Sequence, residues 1–157
     1  MKWYQKHTGL ITEIISMLFI LLFVYAAVNK LWELENFRIQ LGQSPMLTSM
    51  GDWAAWTVPT IELVIAGMFI VPRLRLMALY AAFSLMTMFT AYIYIILNYS
   101  PYVPCSCGGI LEKMGWREHL IFNSVFVLLA LTGVLILSSK RTNEIFQTSE
   151  KLMPENK

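Results

Sequence analysis

Four apolar runs alternate with short polar stretches along this chain, and each run is long enough to cross a bilayer. The pattern predicts helical spans at about 10–31, 53–71, 76–97 and 120–137. Lys30 and Trp32 close the first span, an ammonium that reaches toward headgroups and a ring suited to the interface. Pro59 falls in the expected first turns of the second span, where proline is tolerated. The third span carries no charge. One of its sides, Tyr80, Ser84, Thr87, Ala91 and Tyr94, is small or polar, the character that helix–helix contacts in membranes favour. Lys2 and Lys6 ahead of the run 14–28 imitate a secretory signal, but the apolar runs that follow favour a retained first helix.

The connecting segments differ from one another. In 32–52, Leu34, Phe37 and Leu41 share one helical face while Glu33, Glu35 and Arg38 lie elsewhere, which predicts a short amphipathic helix on the membrane ended by Gly42. Pro72 to Arg75 is a basic turn. Residues 98–119 form a long loop containing both cysteines of the chain, and 138–157 reads as a frayed polar tail. The expected fold is therefore all-α: an integral membrane four-helix bundle with an interfacial helix after the first span. It comprises a membrane domain over 1–139 and a polar tail over 140–157.

Composition supports a lipid-embedded chain. Hydrophobic residues make up 57% and the mean hydropathy is +0.56, while charged residues reach 14%, against about 25% in soluble domains. A net charge of +2 gives no ground for nucleic acid as a partner. The chain has no glycine-rich phosphate loop, no His-Glu-x-x-His and no nucleophile elbow. With the N-terminus inside, the inner segments hold eight basic residues (among them Lys2, Lys6, Arg73, Arg75, Lys140 and Arg141). The outer ones hold four: Lys30, Arg38, Lys113 and Arg117. This asymmetry predicts cytoplasmic termini and an outward-facing cysteine loop, on the side of a bacterial inner membrane where disulfides persist.

The candidate chemistry centres on Tyr102-Val-Pro-Cys-Ser-Cys-Gly-Gly109. A disulfide between Cys105 and Cys107 closes a small strained ring, and strain makes a bridge labile and oxidising. Pro104 stiffens the approach, and Gly108 and Gly109 permit a sharp turn. A short helix over 110–114 would aim its N-terminus at Cys107 and favour a thiolate. The bland alternatives are a structural clip or idle thiols. A clip across so short a loop removes little chain entropy. A metal site built on both thiolates and His119 lacks an apparent fourth ligand. His119, at the mouth of the fourth span, either accepts a thiol proton or merely caps that helix.

Within the spans, Glu62 is the expensive residue, at roughly 2.5–3.5 kcal/mol for an acid at mid-membrane. Lys30 is its natural partner. The pair either fixes helix register, the reading slightly favoured, or relays protons near a quinone. Glu13 reads as interfacial. Trp53, Trp56 and Trp116 fall near the outer interface, as an aromatic belt or as stacking positions for a quinone.

Asn29-Lys-Leu-Trp-Glu-Leu-Glu-Asn-Phe-Arg38 and Ile61-Glu-Leu-Val-Ile-Ala-Gly67 resemble the signatures of DoxX-like membrane proteins, and Cys-Ser-Cys-Gly-Gly narrows the resemblance to the MauE branch, in a style similar to versions from Bacteroidota. It covers most of 25–137. The resemblance implies a four-helix membrane bundle and a role in redox maturation, with disulfide formation in a periplasmic partner. The expected function is a membrane redox component, a candidate thiol–disulfide oxidoreductase. Cys105, Cys107 and His119 would carry the exchange with a periplasmic thioredoxin-like or cysteine-containing protein. Glu62 and Trp116 would attend a quinone. The alternative is a non-catalytic anchor or assembly subunit. A transporter finds little support without internal repeats or broken-helix pairs.

Overall fold

The computed structural model describes residues 2–43, 51–99 and 115–152, all of them built into or bordering five helices. Helix α1 is Lys2–Trp32, α2 Leu34–Gln43, α3 Gly51–Ile70, α4 Arg75–Tyr99 and α5 Trp116–Leu152. No strand occurs among the described residues. Helices α1, α3, α4 and α5 are each long and apolar enough to cross a membrane, and the chain is a multi-pass membrane protein. The all-α four-span expectation holds, and so does the short helix after the first span.

Helix α1 packs chiefly against α3, and α4 chiefly against α5. Contacts of α3 with α4 and of α1 with α5 close the ring, leaving α1 and α4 nearly diagonal. Phe19 is the hub. It is fully buried, stacks on Phe69 of α3 at 5.6 Å and 6°, and meets the edge of Phe126 of α5 at 5.4 Å and 80°. These offset and edge-on geometries are the ones aromatic quadrupoles prefer. The buried layer around it is Ile15, Phe23, Ile65, Leu79, Ala82 and Met86, with Ala130 and Val134 from α5. Large apolar side chains on the outside, Met17, Leu21, Ile70 and Leu128 among them, are each more than 60% exposed. Such a rind suits lipid and would be a liability in water.

The course of the chain sorts the ends of the bundle. Both the N-terminus of α1 and the C-terminus of α5 lie at one end. The other end carries α2, the start of α3 and the two helix ends, Tyr99 and Trp116, between which the cysteine segment runs. At the terminal end, the turn after α3 is closed by bonds from the Val71 and Leu74 amides to the Met68 and Val71 carbonyls. Arg75 ties this end together: its Nε donates to the Phe69 carbonyl at 3.4 Å, and its Nη2 lies 3.6 Å from Glu13 Oε1. Glu13 is largely exposed, in keeping with an interfacial position.

Three expectations change. The polar side of the third span does not face its neighbours: Tyr80, Ser84, Thr87, Ala91 and Tyr94 are all exposed. The buried face is instead Ala78, Leu79, Ala82, Leu85, Met86, Ile93 and Ile96. The hydroxyl of Thr87 donates to the Phe83 carbonyl one turn back, so it needs no neighbouring helix. Pro59 is not in the opening turns, because α3 starts at Gly51 and places it in the helix interior, fully buried. A proline there removes one backbone donor. Thr57 and Thr60 hydroxyls bond the Trp53 and Trp56 carbonyls of the same turns. Residues 138–152 are not frayed but continue α5 to Leu152. No proline or glycine interrupts them, and Ser138 and Thr142 hydroxyls bond the carbonyls of Leu135 and Ser138.

Candidate functional site

At the end of the bundle opposite the termini, all five helices bring a side chain to one spot. Lys30, in the last turn of α1, turns inward instead of reaching toward headgroups. A helical side chain leans toward its own N-terminus, which from this position means down into the bundle. Its Nζ lies 2.5 Å from Glu62 Oε1 of α3. The predicted pairing is present. The Lys30 side chain is 23% exposed, and Glu62 only 1%.

The ammonium also faces two rings. The Phe89 centroid on α4 is 5.6 Å away, and the Phe37 centroid on α2 is 6.0 Å away, both within cation–π reach. Helix α2 therefore roofs the pair. Its inward face, Leu34, Phe37 and Leu41, matches the sequence pattern, and it packs mainly on α3. A latch holds it there: Arg38 Nε and Nη2 donate to Asp52 Oδ1 at 2.9 and 2.7 Å, and Glu35 Oε2 lies 3.8 Å from Arg38 Nη1. The latch is exposed at its carboxylate, so its own contribution is small.

From α5 come His119 and, one turn deeper, Asn123. His119 is half-buried and lies within electrostatic range of the Lys30 charge, and Asn123 is buried. The start of α5 is capped by other groups. Glu118 Oε2 accepts from the Gly115 amide at 2.8 Å, and the Gly115 carbonyl accepts from the His119 amide. Capping is thus supplied by Glu118, and the His119 imidazole is not needed for it.

One atom in this cluster lacks a partner. Glu62 Oε2 is buried without a hydrogen bond among the described residues. A buried acceptor left unpaired costs about 1–3 kcal/mol, and more when charged.

The sequence-derived site residues divide into two groups. Glu62 and Lys30 meet, and His119 lies within electrostatic range of Lys30. Trp116 begins α5, half-buried. Cys105 and Cys107, with Pro104, Gly108, Gly109 and the short helix expected over 110–114, lie outside the described residues. Trp53 and Trp56 are more than half exposed and border an open groove of about 320 Å³ with Thr57, Thr60 and Ile61, on the outward side of α3 from Glu62. No cluster of metal-ligating side chains occurs among the described residues. Sequence reasoning missed Phe37 and Phe89 as partners of Lys30, and Asn123 as a buried polar group. The inward face assigned to α2 already contained Phe37. Phe89 is one apolar residue in an apolar run and gave no signal.

A helical multi-span bundle with a buried ion pair, roofed by the short helix α2 at the end where a two-cysteine segment joins, defines a class of polytopic membrane protein with a polar cluster at one end. Within that class, the family model described as methylamine utilisation protein MauE matches residues 8–136, and the chain belongs to the MauE family. No curated protein and no solved structure matches the chain.

Proposed function

We propose that this protein is a membrane thiol–disulfide exchange component whose working pair is Cys105 and Cys107, serving oxidation or maturation of a partner protein. The observation that carries this reading is the Cys-Ser-Cys spacing in the segment between α4 and α5, at the bundle end away from both termini. Membership of the MauE family supports it. The wider DoxX-like likeness rests on the two sequence signatures at 29–38 and 61–67.

In the exchange, a partner thiolate attacks one sulfur of the Cys105–Cys107 disulfide, forming a mixed disulfide and releasing the other cysteine as a thiolate. A second partner thiolate then displaces the attached cysteine. The partner leaves as a disulfide and this pair is reduced by two electrons. Reoxidation passes two electrons and two protons to an acceptor of the quinone class or to another protein disulfide. With two cysteines in the chain, no second internal pair takes part. His119, at the foot of the segment, is the candidate proton acceptor. The setting is the bacterial inner membrane, with both termini cytoplasmic and the cysteines facing the periplasm. The partner there is a thioredoxin-like or other cysteine-containing protein.

The test combines capture and titration. Cys105→Ser and Cys107→Ser variants, trapped with an alkylating mass tag, should yield a mixed disulfide with a periplasmic protein. A glutathione titration of the purified wild type should place the pair above the structural-disulfide range, which lies below about −300 mV. A potential within that range, with no captured partner, leaves the segment as a clip and supports an anchoring subunit.

A further inference from the structure

A pair that only fixes helix register satisfies both of its charged groups, since a half-satisfied buried ion pair is less favourable than an apolar one. The Lys30–Glu62 pair departs from that pattern. One carboxylate oxygen holds the ammonium, and the other is buried and unpartnered among the described residues. The ammonium also meets the aromatic faces of Phe37 and Phe89, which attract a cation but leave the carboxylate unaided.

We propose that Glu62 is a proton-binding site of the membrane interior, with Oε2 as the position that takes the proton while Oε1 keeps the Lys30 ammonium. The lone pairs of Oε2 are a carboxylate acceptor that a proton can occupy without displacing an existing bond among the described residues. Protonation leaves Lys30 as a net positive charge held by two rings and a carbonyl-type oxygen. Deprotonation restores the neutral pair. The site therefore alternates between two charge states at fixed geometry.

Among the described residues, the groups that face it come from four helices. Helix α1 supplies Lys30, and α2 supplies Phe37, its own Arg38 being engaged by Asp52 and Glu35. From α4 comes Phe89, in a helix whose charged residue is Arg75 at the opposite end. Helix α5 supplies His119, in electrostatic range of Lys30, with Asn123 buried one turn below it. His119 thus adds a titratable imidazole to the surroundings of Lys30 from the side of α5. This inference concerns the ion pair and holds whether or not Cys105 and Cys107 exchange disulfides.

Infrared difference spectroscopy of the full-length protein in liposomes, titrated with pH while the chain stays folded, reads the site directly. The expected result is the carbonyl stretch of a carboxylic acid in an apolar setting, gained on acidification and absent from Glu62→Gln. Because that substitution leaves Lys30 without its carboxylate, the paired variant Lys30→Met with Glu62→Gln is a second reference. Dicyclohexylcarbodiimide, an apolar reagent for protonated carboxyls, should then label Glu62 in the peptide map. Its rate should fall as pH rises. A wild type without such a band, or a band that persists in both references, overturns the proposal. Neither result bears on the cysteine titration, so the two readings fail separately.

Discussion

At the scale of single residues, the most consequential contact is the salt bridge between Lys30 and Glu62. Each partner is costly alone in an apolar interior, and removing one leaves the other uncompensated, a loss of about 3–5 kcal/mol for buried pairs. Glu62→Gln keeps a carbonyl oxygen for the ammonium, so it is expected to cost about 1–3 kcal/mol in an otherwise native chain, and clearly less in a Lys30→Met background. Denaturant unfolding in detergent, run as a double-mutant cycle, measures the difference, and strict additivity removes the pairing. The amino-acid pattern alone makes this pair legible. An acid inside an apolar run demands a counter-charge, and Lys30 is the basic residue that closes an apolar span at the same end. The direction of the lysine is not legible in the same way. A lysine at a helix end is free to reach outward, and its inward turn depends on the rings of Phe37 and Phe89, which only the packing of α2 and α4 brings close.

At the scale of elements, two helical glycines show how differently the same residue is used. Gly133 of α5 faces Leu79 of α4: an added Cβ would stand 2.9 Å from Leu79 Cδ2 and 3.5 Å from Ile15 Cγ2. Leu79 is fully buried and Ile15 nearly so, so the obstructing methyl has little room to withdraw. Gly67 of α3 has open space where its Cβ would be. The substitution Gly133→Ala is thus expected to cost about 1–3 kcal/mol by overpacking. Gly67→Ala should be neutral or stabilising by up to about 1 kcal/mol, from helix propensity alone. Thermal unfolding of the two variants in one detergent decides it, and equal shifts would place α4 and α5 wrongly. The number and order of the helices are legible in the sequence because apolar length is a coarse, strong signal. Which face of α4 turns inward is not. In a uniformly apolar span, period alone does not mark the core. The polar stripe from Tyr80 to Tyr94 is compatible with the outside, where Thr87 bonds its own helix. Small residues such as Ala78 and Ala82, which admit close approach, carry the inward face.

At the scale of the whole molecule, the odd and even passes of the chain set which segments share a side. Four spans return the C-terminus to the side of the N-terminus and leave α2 and the cysteine segment together on the other. The helical order is fixed by the fold, whereas the choice of which side is cytoplasmic rests on charge: eight basic residues fall on the terminal side and four on the other. Short loops with an excess of lysine and arginine stay inside. Arg73 and Arg75 strengthen the assignment, because they sit in or beside the tight turn between α3 and α4, the kind of short loop the rule describes. A membrane-impermeant thiol reagent applied to spheroplasts under mild reduction should therefore label Cys105 or Cys107. A cysteine introduced at Ser139, on the terminal side, should react only after the inner membrane is permeabilised. Labelling in the opposite order would invert the protein in the membrane. It would put the cysteines in a compartment that keeps thiols reduced, and a disulfide-exchange role facing the periplasm would have to be abandoned with it.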